Sequence, residues 1–353
     1  MKKIALMSGA YVNAGDFLIE QRCQKLLERF INNAEIHILK RNLSYDDSID
    51  ELNQYDLILF GGGPGYQKNM YPNRMPFISR LNSLTPPVSI MGWGWKGRNY
   101  PKAVYHNTMS NSMINFLKFI EKQEIPLGCR DWYTLDYLHN NNIYNTIMTG
   151  CPAWYDLNYI DKLRLNTAPI TDDNLNICIS DPALTSNKPL MLPLITFLRK
   201  QYPKAKIQII LHRGITSGDK PYIKKSFLEE NNLSFKDISG CVESFQIYNN
   251  CNLHIGFRVH AHIYNLSRGN VSVLINEDMR GNGVNDALGI RNINLNLYKK
   301  YFYFNTADFL QTLNDYLMFI ENSQYLQYIN ACKNIQFYYS IMANYLNKLG
   351  EII

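Results

Sequence analysis

Short apolar runs that end in a turn and lead into a helical segment recur along this chain. Residues 4–8, 56–60 and 88–91 are such runs, and the second leads directly into Gly61-Gly62-Gly63. Uninterrupted apolar runs of this length are typical of strands that are buried on both faces of a sheet. Strands that alternate with helices predict a parallel sheet covered by helices on both sides, so the expected fold class is α/β.

The pattern occurs twice and predicts two Rossmann-like domains. The chain has 353 residues, a length at which two domains are common. We predict a first domain over residues 1–157, a polar linker without clear periodicity over 158–174, and a second domain over 175–320. Residues 321–353 are predicted to form a helical segment that crosses back onto the first domain.

Composition narrows the class of protein. Hydrophobic residues make up 46% and charged residues 19% of the chain, which is enough to bury sizeable cores. The apolar runs are shorter than the ~18 residues that a membrane span needs, and the first is too short for a signal peptide. We therefore expect a cytoplasmic protein, with peripheral contact at the inner membrane face left open.

Charge and cysteine usage exclude further classes. The net charge of +6 without a basic arm suits an anionic ligand and argues against nucleic acid as a partner. The seven cysteines are scattered and form no C-x-x-C pair, so neither a zinc site nor a disulfide scaffold is indicated. Motifs of metalloproteases, α/β-hydrolases, P-loop proteins and Asp-x-Asp glycosyltransferases do not occur.

The strongest chemical signal is one strand-to-helix junction. An apolar run ends at Gly256 and is followed by Arg258 and His260. Ligands of open α/β folds bind at the carboxyl ends of strands, and a helix N-terminus there favours an anion. Arg grips a carboxylate or phosphate with two N–H groups, and His can transfer a proton near neutral pH. His262 lies about 200° around the helix from His260, so we interpret it as structural.

A second cluster, Glu277-Asp278-Met279-Arg280, follows the next apolar run. One strand further along a βαβ unit, Arg280 is expected to point into the same cleft as His260. Glu277 and Asp278 are predicted to support it.

Four loops in the first half leave two interpretations open. Asp16, after Asn13, either caps a helix or accepts a hydrogen bond from a substrate hydroxyl. Gly62 and Gly63 either form a tight turn or let backbone approach a ligand.

The other two loops carry aromatic and charged side chains. Trp93 and Trp95 either stack on a sugar or pack in a domain interface. Arg130, followed by Asp131, either forms a local ion pair beside a helix cap or reaches the interdomain cleft.

Taken in order, these pieces resemble the polysaccharide pyruvyl transferase family over roughly residues 1–300. Two positions depart from the family pattern. Cys151 replaces the usual Asp of a Gly-Asp-Pro-Ala motif, and Arg280 stands where Lys is common. Arg keeps the charge of Lys but not its geometry, so the donor could be bound differently. The matching pieces are Asn13-x-Gly15-Asp16, Gly61-Gly62-Gly63, Arg130-Asp131, Gly150-Cys151-Pro152-Ala153, Arg258-x-His260 and Glu277-Asp278-Met279-Arg280.

The resemblance implies a GT-B-like fold, with two Rossmann-like domains facing a cleft. It implies transfer of pyruvate from phosphoenolpyruvate onto a sugar as a ketal, during synthesis of a surface polysaccharide or cell-wall polymer. His260 would be the general acid/base, and Arg258, Arg280 and Arg130 would bind phosphoenolpyruvate. No metal or redox cofactor would be required. The acceptor side would comprise Asn13, Asp16, Gly62, Gly63, Trp93 and Trp95.

Two other functions share these features. One is a GT-B glycosyltransferase that uses a nucleotide sugar, and the other is a carbohydrate- or anion-binding protein without turnover. The sequence leaves open which sugar and hydroxyl pair would be modified, whether the acceptor is lipid-linked, and whether the protein forms a homo-oligomer.

Overall fold

The structure, a computed structural model, describes residues 1–97, 108–166, 170, 175–214, 216–217, 220–221, 225–300 and 303–353. The chain divides into two compact units. Unit 1 comprises Met1–Ala10, Leu18–Leu157 and Gln336–Ile353. Unit 2 comprises Tyr11–Phe17 and Asn158–Ile335, so a short N-terminal segment belongs to the second unit.

The core of unit 1 is a parallel sheet with the strand order β2-β1-β3-β4. A further parallel pair, β5-β6, is joined to it by a bridge between Trp93 and Cys129. β3 is buried at every residue, as expected for a strand covered on both faces. The strands are β1 (Lys2–Ser8), β2 (Ala34–Lys40), β3 (Leu57–Gly61), β4 (Val88–Met91), β5 (Leu127–Cys129) and β6 (Thr146–Met148).

Helices alternate with these strands, and side-chain caps fix the start of two of them. The Ser110 hydroxyl accepts from Met113 N–H at 3.3 Å, and the Asp131 carboxylate accepts from Thr134 N–H at 2.9 Å. Each cap satisfies an amide that the helix itself leaves unpaired. The helices are α1 (Ala14–Phe30), α2 (Ile49–Leu52), α3 (Asn111–Glu121) and α4 (Trp132–His139).

Unit 2 is built on a second parallel sheet, of order β11-β8-β7-β12-β13-β14. β12 and β13 are completely buried. Two short antiparallel pairs, β9-β10 and β15-β16, lie outside this sheet. The strands are β7 (Asn176–Ser180), β8 (Lys206–Leu211), β9 (Thr216–Ser217), β10 (Lys220–Pro221), β11 (Phe235–Asp237), β12 (Leu253–Gly256), β13 (Val271–Asn276), β14 (Ile293–Asn294), β15 (Lys299–Lys300) and β16 (Tyr303–Phe304).

The helices of unit 2 follow its strands, and the last helix continues into unit 1. It starts at Leu326, and its residues from Gln336 onward group with unit 1. The helices are α5 (Met191–Gln201), α6 (Lys225–Glu230), α7 (Val259–Leu266), α8 (Met279–Leu288), α9 (Thr306–Asn322) and α10 (Leu326–Ile352).

The predicted α/β class with parallel sheets is confirmed. Of the predicted linker, residues 167–169 and 171–174 lie outside the described residues. None of the helices in the described ranges has an apolar stretch long enough to cross a membrane. All seven cysteines are free thiols, and all but Cys241 are buried.

Candidate active site

Polar side chains gather at the carboxyl edge of the unit 2 sheet. β7, β8, β12 and β13 are parallel and end at this edge, and they are followed by Asp181, His212, Phe257 and Glu277. α7 and α8 begin directly after β12 and β13. Their first turns therefore bring backbone N–H groups and the positive end of each helix dipole to this edge, which suits an anion.

Arg258 is the N-cap residue of α7 and is held by the end of β7. Its Nε and Nη2 donate to the two carboxylate oxygens of Asp181 at 2.9 and 2.6 Å, and Nη2 also donates to the Pro182 carbonyl at 3.3 Å. Both charged side chains are buried, with exposures of 8% for Arg258 and 0% for Asp181. A buried two-pronged pair fixes the plane of the guanidinium and balances its charge.

His260 lies in the first turn of α7 and is half-buried. Its ring packs on the backbone of Gly15. A Cβ atom added to Gly15 would lie 2.2 Å from His260 Nδ1 and 2.6 Å from Cγ. Glycine is therefore required at position 15 for the ring to occupy this place.

The segment Tyr11–Phe17 is hydrogen-bonded to the unit 2 scaffold. Ala14 N–H donates to the His212 carbonyl at 2.9 Å, and Gly240 N–H donates to the Val12 carbonyl at 2.7 Å. These bonds place the Gly15 backbone beside His260.

The same segment carries two predicted acceptor residues. We expected Asn13 and Asp16 on the first domain, but they group with unit 2. Asp16 lies in the first turn of α1, which starts at Ala14, so it is not the N-cap of that helix. Its N–H donates to the Asn13 carbonyl at 3.0 Å, and its carboxylate is half-buried.

Arg280 stands in the first turn of α8. Its Nε and Nη2 donate to the Asp278 carboxylate at 2.8 to 3.0 Å, while the same carboxylate caps the helix by accepting from Arg280 N–H. Burial alone would lower the pKa of the Arg280 guanidinium, but the carboxylates of Asp278, Glu277 and Asp16 outweigh it and raise the pKa. Arg280 therefore stays charged, and its side chain keeps 23% of its surface exposed.

Glu277 organises the loop after β7, and its predicted supporting role in the site stays a prediction. Its carboxylate accepts from the N–H groups of Ala183 and Leu184 at 2.6 and 3.0 Å and from Asn187 Nδ2 at 2.5 Å. Burial raises the pKa of Glu277, although these hydrogen bonds and Arg258 oppose the rise.

In unit 1, the predicted glycine turn follows β3. Gly62 and Gly63 have φ of 37° and 78°, in the left-handed region that glycine tolerates best. A Cβ atom on Gly62 would lie 2.3 Å from Ile19 Cγ2, so the turn also packs tightly on α1. Arg41, which follows β2 and was not predicted, donates to the Gly62 carbonyl at 3.4 Å.

The predicted role of Trp93 in sugar stacking is wrong in this structure. Its ring is completely buried and meets the rings of Phe60 and Tyr66 edge-on at 5.3 and 5.5 Å, so it is a core residue. Trp95 is also largely buried, but it lines a small pocket of about 270 Å³ with Tyr137 and polar side chains. Trp95 therefore stays a candidate for acceptor contact.

Arg130 belongs to unit 1 and is buried. Its Nε donates to Asp131 at 2.7 Å and its Nη2 donates to the Trp95 carbonyl at 2.9 Å. Asp131 in turn caps α4. The local ion pair and cap that the sequence left open are thus present, and a role of Arg130 in donor binding stays a prediction.

The sequence model of one family, described as polysaccharide pyruvyl transferase, matches residues 13–264. The chain belongs to this family. The matched range contains Asp16, Arg258 and His260 and ends before Glu277, Asp278 and Arg280. A comparison with curated protein sequences gives no match.

Solved structures of low sequence identity share the fold. Staphylococcus aureus MnaA, solved with UDP, has a TM-score of 0.60 at 13% identity, covering 100% of this chain and 98% of that one. Neisseria meningitidis UDP-GlcNAc 2-epimerase, solved with UDP-GlcNAc, has a TM-score of 0.57 at 13% identity and 99% coverage of both chains. A putative UDP-N-acetylglucosamine 2-epimerase from Listeria monocytogenes has a TM-score of 0.56 at 8% identity, covering 97% and 94%. This family member therefore has a GT-B-like fold, as predicted.

The structure adds three residues to the candidate site of this pyruvyl transferase family member. Asp181 and His212 directly follow β7 and β8, so the rule that ligands bind at strand ends would have found them. Lys188 is half-buried, and burial lowers the pKa of its amine while Asp181 opposes the shift. Its position in a loop gave no such signal.

Three histidines of unit 2 are completely buried, and we call them the buried histidines. Burial is the main cause that lowers the pKa of each one. His212 donates to or accepts from the Tyr248 hydroxyl at 2.8 Å, and its Nδ1 has no hydrogen-bond partner among the described residues. The buried histidines are His212, His254 and His262.

Proposed function

We propose that this protein transfers the pyruvyl group of phosphoenolpyruvate to two hydroxyls of a hexose or amino sugar, as a ketal, and releases phosphate. Membership of the family supports a transferase that acts in polysaccharide modification. The donor assignment rests on one observation. Arg258, His260 and Arg280 stand on the first turns of two adjacent helices at one sheet edge.

This arrangement suits the chemistry of the donor. Phosphoenolpyruvate carries a carboxylate and a phosphate, which match the guanidinium groups of Arg258 and Arg280 and the N–H groups of two helix N-termini. Both arginines are already oriented by carboxylates, so little order has to be gained on binding. Arg130 of unit 1 is a further candidate cation.

His260 is proposed as the general acid/base. The half-exposed ring can give a proton to C3 of the enol, which becomes the methyl group of the ketal, while C2 gains oxocarbenium character. One sugar hydroxyl adds to C2 and gives its proton to His260, which restores the acid form of the ring. The second hydroxyl closes the ketal as the C2–O bond to phosphate breaks, and its proton leaves with the phosphate. Phosphoenolpyruvate is the co-substrate, and this sequence of steps uses no further cofactor.

The acceptor side is proposed to include Asp16, whose carboxylate can accept from a sugar hydroxyl. Its neighbour Gly15 contacts His260, so an acceptor bound at Asp16 would present its hydroxyl near the acid/base. Trp95 and the glycine turn of unit 1 are further candidates. The natural acceptor is a sugar of a surface polysaccharide or cell-wall polymer, free or lipid-linked.

A glycosyltransferase that uses a nucleotide sugar is the second candidate. It is favoured by the fold alone, because the Staphylococcus aureus and Neisseria meningitidis structures of this fold hold UDP and UDP-GlcNAc. Such an enzyme would release a nucleoside diphosphate instead of phosphate.

Calorimetric titration of the purified full chain with phosphoenolpyruvate, beside UDP-sugars, separates the two candidates. We expect phosphoenolpyruvate to bind and His260→Ala to keep that binding while losing phosphate release with a sugar acceptor. Arg199→Ala is the control, because Arg199 is an exposed unit 2 arginine on α5 that donates to the Asn232 carbonyl at 3.3 Å and does not belong to the candidate site. Binding of a UDP-sugar without any response to phosphoenolpyruvate would refute pyruvyl transfer.

A further inference from the structure

A continuous chain of hydrogen bonds runs through the interior of unit 2 behind the candidate site. Arg258 N–H donates to Ser180 Oγ at 3.1 Å, and Ser180 Oγ lies 2.9 Å from His254 Nε2. His254 Nδ1 lies 2.7 Å from Ser272 Oγ, which lies 2.7 Å from His262 Nδ1. His262 Nε2 lies 2.9 Å from Asn285 Oδ1.

The orientation of the Asn285 amide, with Oδ1 facing His262 Nε2, gives this chain of hydrogen bonds one direction. Asn285 Oδ1 can only accept, so His262 carries its proton on Nε2 and its Nδ1 accepts from the Ser272 hydroxyl. Ser272 has a single proton to give, so it accepts from His254 Nδ1–H. His254 Nε2 then accepts from the Ser180 hydroxyl, which accepts from Arg258 N–H. Every donor points from Arg258 toward Asn285, and both histidine tautomers are fixed.

This chain of hydrogen bonds lies in the protein interior and carries no charge. The side chains of its five members are fully buried. Burial, and secondarily His262, holds the pKa of His254 well below its usual range. Burial also lowers the pKa of His262 to about 3, and the hydrogen bond that His262 Nε2–H donates to Asn285 Oδ1 opposes this shift. Two neutral rings that each give one proton and accept one match the pattern above. The five members are Ser180, His254, Ser272, His262 and Asn285.

The course of the chain connects the elements that carry the candidate site. Ser180 ends β7, His254 lies on β12 and Ser272 on β13. His262 lies on α7, the helix of His260, and Asn285 lies on α8, the helix of Arg280. Bonds in a low-dielectric interior are strong, and aligned bonds polarise one another.

We propose that these five residues are positioning residues that set the spacing between Arg258, His260 and Arg280 for donor binding. This inference rests on the proposed function, since it assumes that the three basic side chains bind one donor. None of the five touches the donor. They act by fixing α7 and α8 relative to the strands β7, β12 and β13.

The test is a set of variants at Ser272, the central residue of the hydrogen-bond chain. Ser272→Ala breaks the chain, and we expect it to weaken phosphoenolpyruvate binding about tenfold, the effect of losing roughly one buried hydrogen bond. Ser272→Thr keeps the hydroxyl and should restore the affinity. Tyr328→Phe is the matched control, because the Tyr328 hydroxyl donates to the Ser272 carbonyl at 2.7 Å and stays outside the chain. Equal affinities for Ser272→Ala and Tyr328→Phe would overturn the proposal.

A second measurement needs neither a variant that folds nor a ligand. Nitrogen-15 spectra of histidine-labelled full-length protein distinguish a protonated from an unprotonated ring nitrogen. We expect His254 protonated on Nδ1 and His262 on Nε2, unchanged between pH 7.5 and pH 5.5. The opposite tautomers, or two protons on either ring, would overturn the proposed direction of the hydrogen-bond chain. If the spectra show the expected tautomers but the wild type does not bind phosphoenolpyruvate, the proposed function is wrong, whereas the hydrogen-bond chain is confirmed.

Discussion

Arg258→Ala removes one partner of the buried pair with Asp181 and leaves the other partner in place. The Asp181 carboxylate would lose two hydrogen bonds of 2.9 and 2.6 Å and would keep the one that it accepts from the His212 N–H, at 3.1 Å. Its side chain is completely buried, so water cannot replace the lost donors without a local opening.

The expected cost follows from this geometry. Removal of one member of a buried ion pair typically lowers the free energy of unfolding by about 3–5 kcal/mol, because an uncompensated charge stays in the interior. The double variant Arg258→Ala/Asp181→Asn removes that charge as well. We expect it to recover more than half of the loss, roughly 2 kcal/mol or more, since a neutral amide costs less to bury.

Urea unfolding followed by circular dichroism measures the stability of the wild type, both single variants and the double variant. Titration with phosphoenolpyruvate measures binding in the same proteins. We expect the double variant to regain stability without regaining affinity, because the donor-binding guanidinium is absent. The assigned role of the pair would be refuted if the free energy of unfolding of Arg258→Ala lay within about 1 kcal/mol of the wild type. A double variant that is no more stable than Arg258→Ala would refute it as well.

Three further predictions follow from the site and the core. Gly15→Ala puts a Cβ atom 2.2 Å from His260 Nδ1, so the ring must move by about 1 Å. Phosphate release should therefore fall about 100-fold, while phosphoenolpyruvate affinity changes little. Unchanged turnover in a phosphate-release assay would contradict the contact. Trp93→Ala should lower the free energy of unfolding by about 3–5 kcal/mol and leave phosphoenolpyruvate affinity intact, measured by urea unfolding and titration, because the ring fills the unit 1 core. The pKa of each buried histidine is lowered from its ordinary value of 6.5, so the unfolded chain takes up protons that the folded chain does not. The contribution of these histidines to the free energy of unfolding is complete above pH 6.5 and is lost as the pH falls, by about 1.4 kcal/mol per histidine and pH unit. Urea unfolding should therefore give a free energy of unfolding that is about 4 kcal/mol lower at pH 5.5 than at pH 7.5. Equal stabilities at the two pH values would contradict the burial of these histidines.

Much of the fold could be predicted from the sequence, because its strands are buried on both faces. β3 is an uninterrupted apolar run, and its position agrees with the predicted run over residues 56–60 to within one residue. Helix starts were harder. α1 begins at Ala14, three residues before Phe17, where the apolar residues at helical spacing begin, because its polar first turn gives no apolar period. The C-terminal helical stretch is interrupted where Gln324 and Tyr325 adopt positive φ, which a non-glycine sequence does not announce.

The candidate site could be predicted only in part. Arg258 and His260 follow a strand directly, so local sequence was enough to place them at a sheet edge. The partner of Arg258 is Asp181, far away in the sequence, and no local pattern connects the two. Trp93 was misjudged because a tryptophan between glycines has the same sequence pattern in a core as on a binding surface, and only packing distinguishes them.

The grouping of Tyr11–Phe17 with unit 2 has a consequence for how the protein is made. This segment is synthesised well before His260, whose ring its Gly15 contacts. Unit 1 likewise stays incomplete until Gln336–Ile353 has been synthesised, after all of unit 2. Neither unit is one continuous stretch of chain, and a cut between residues 157 and 158 would leave both without a native segment.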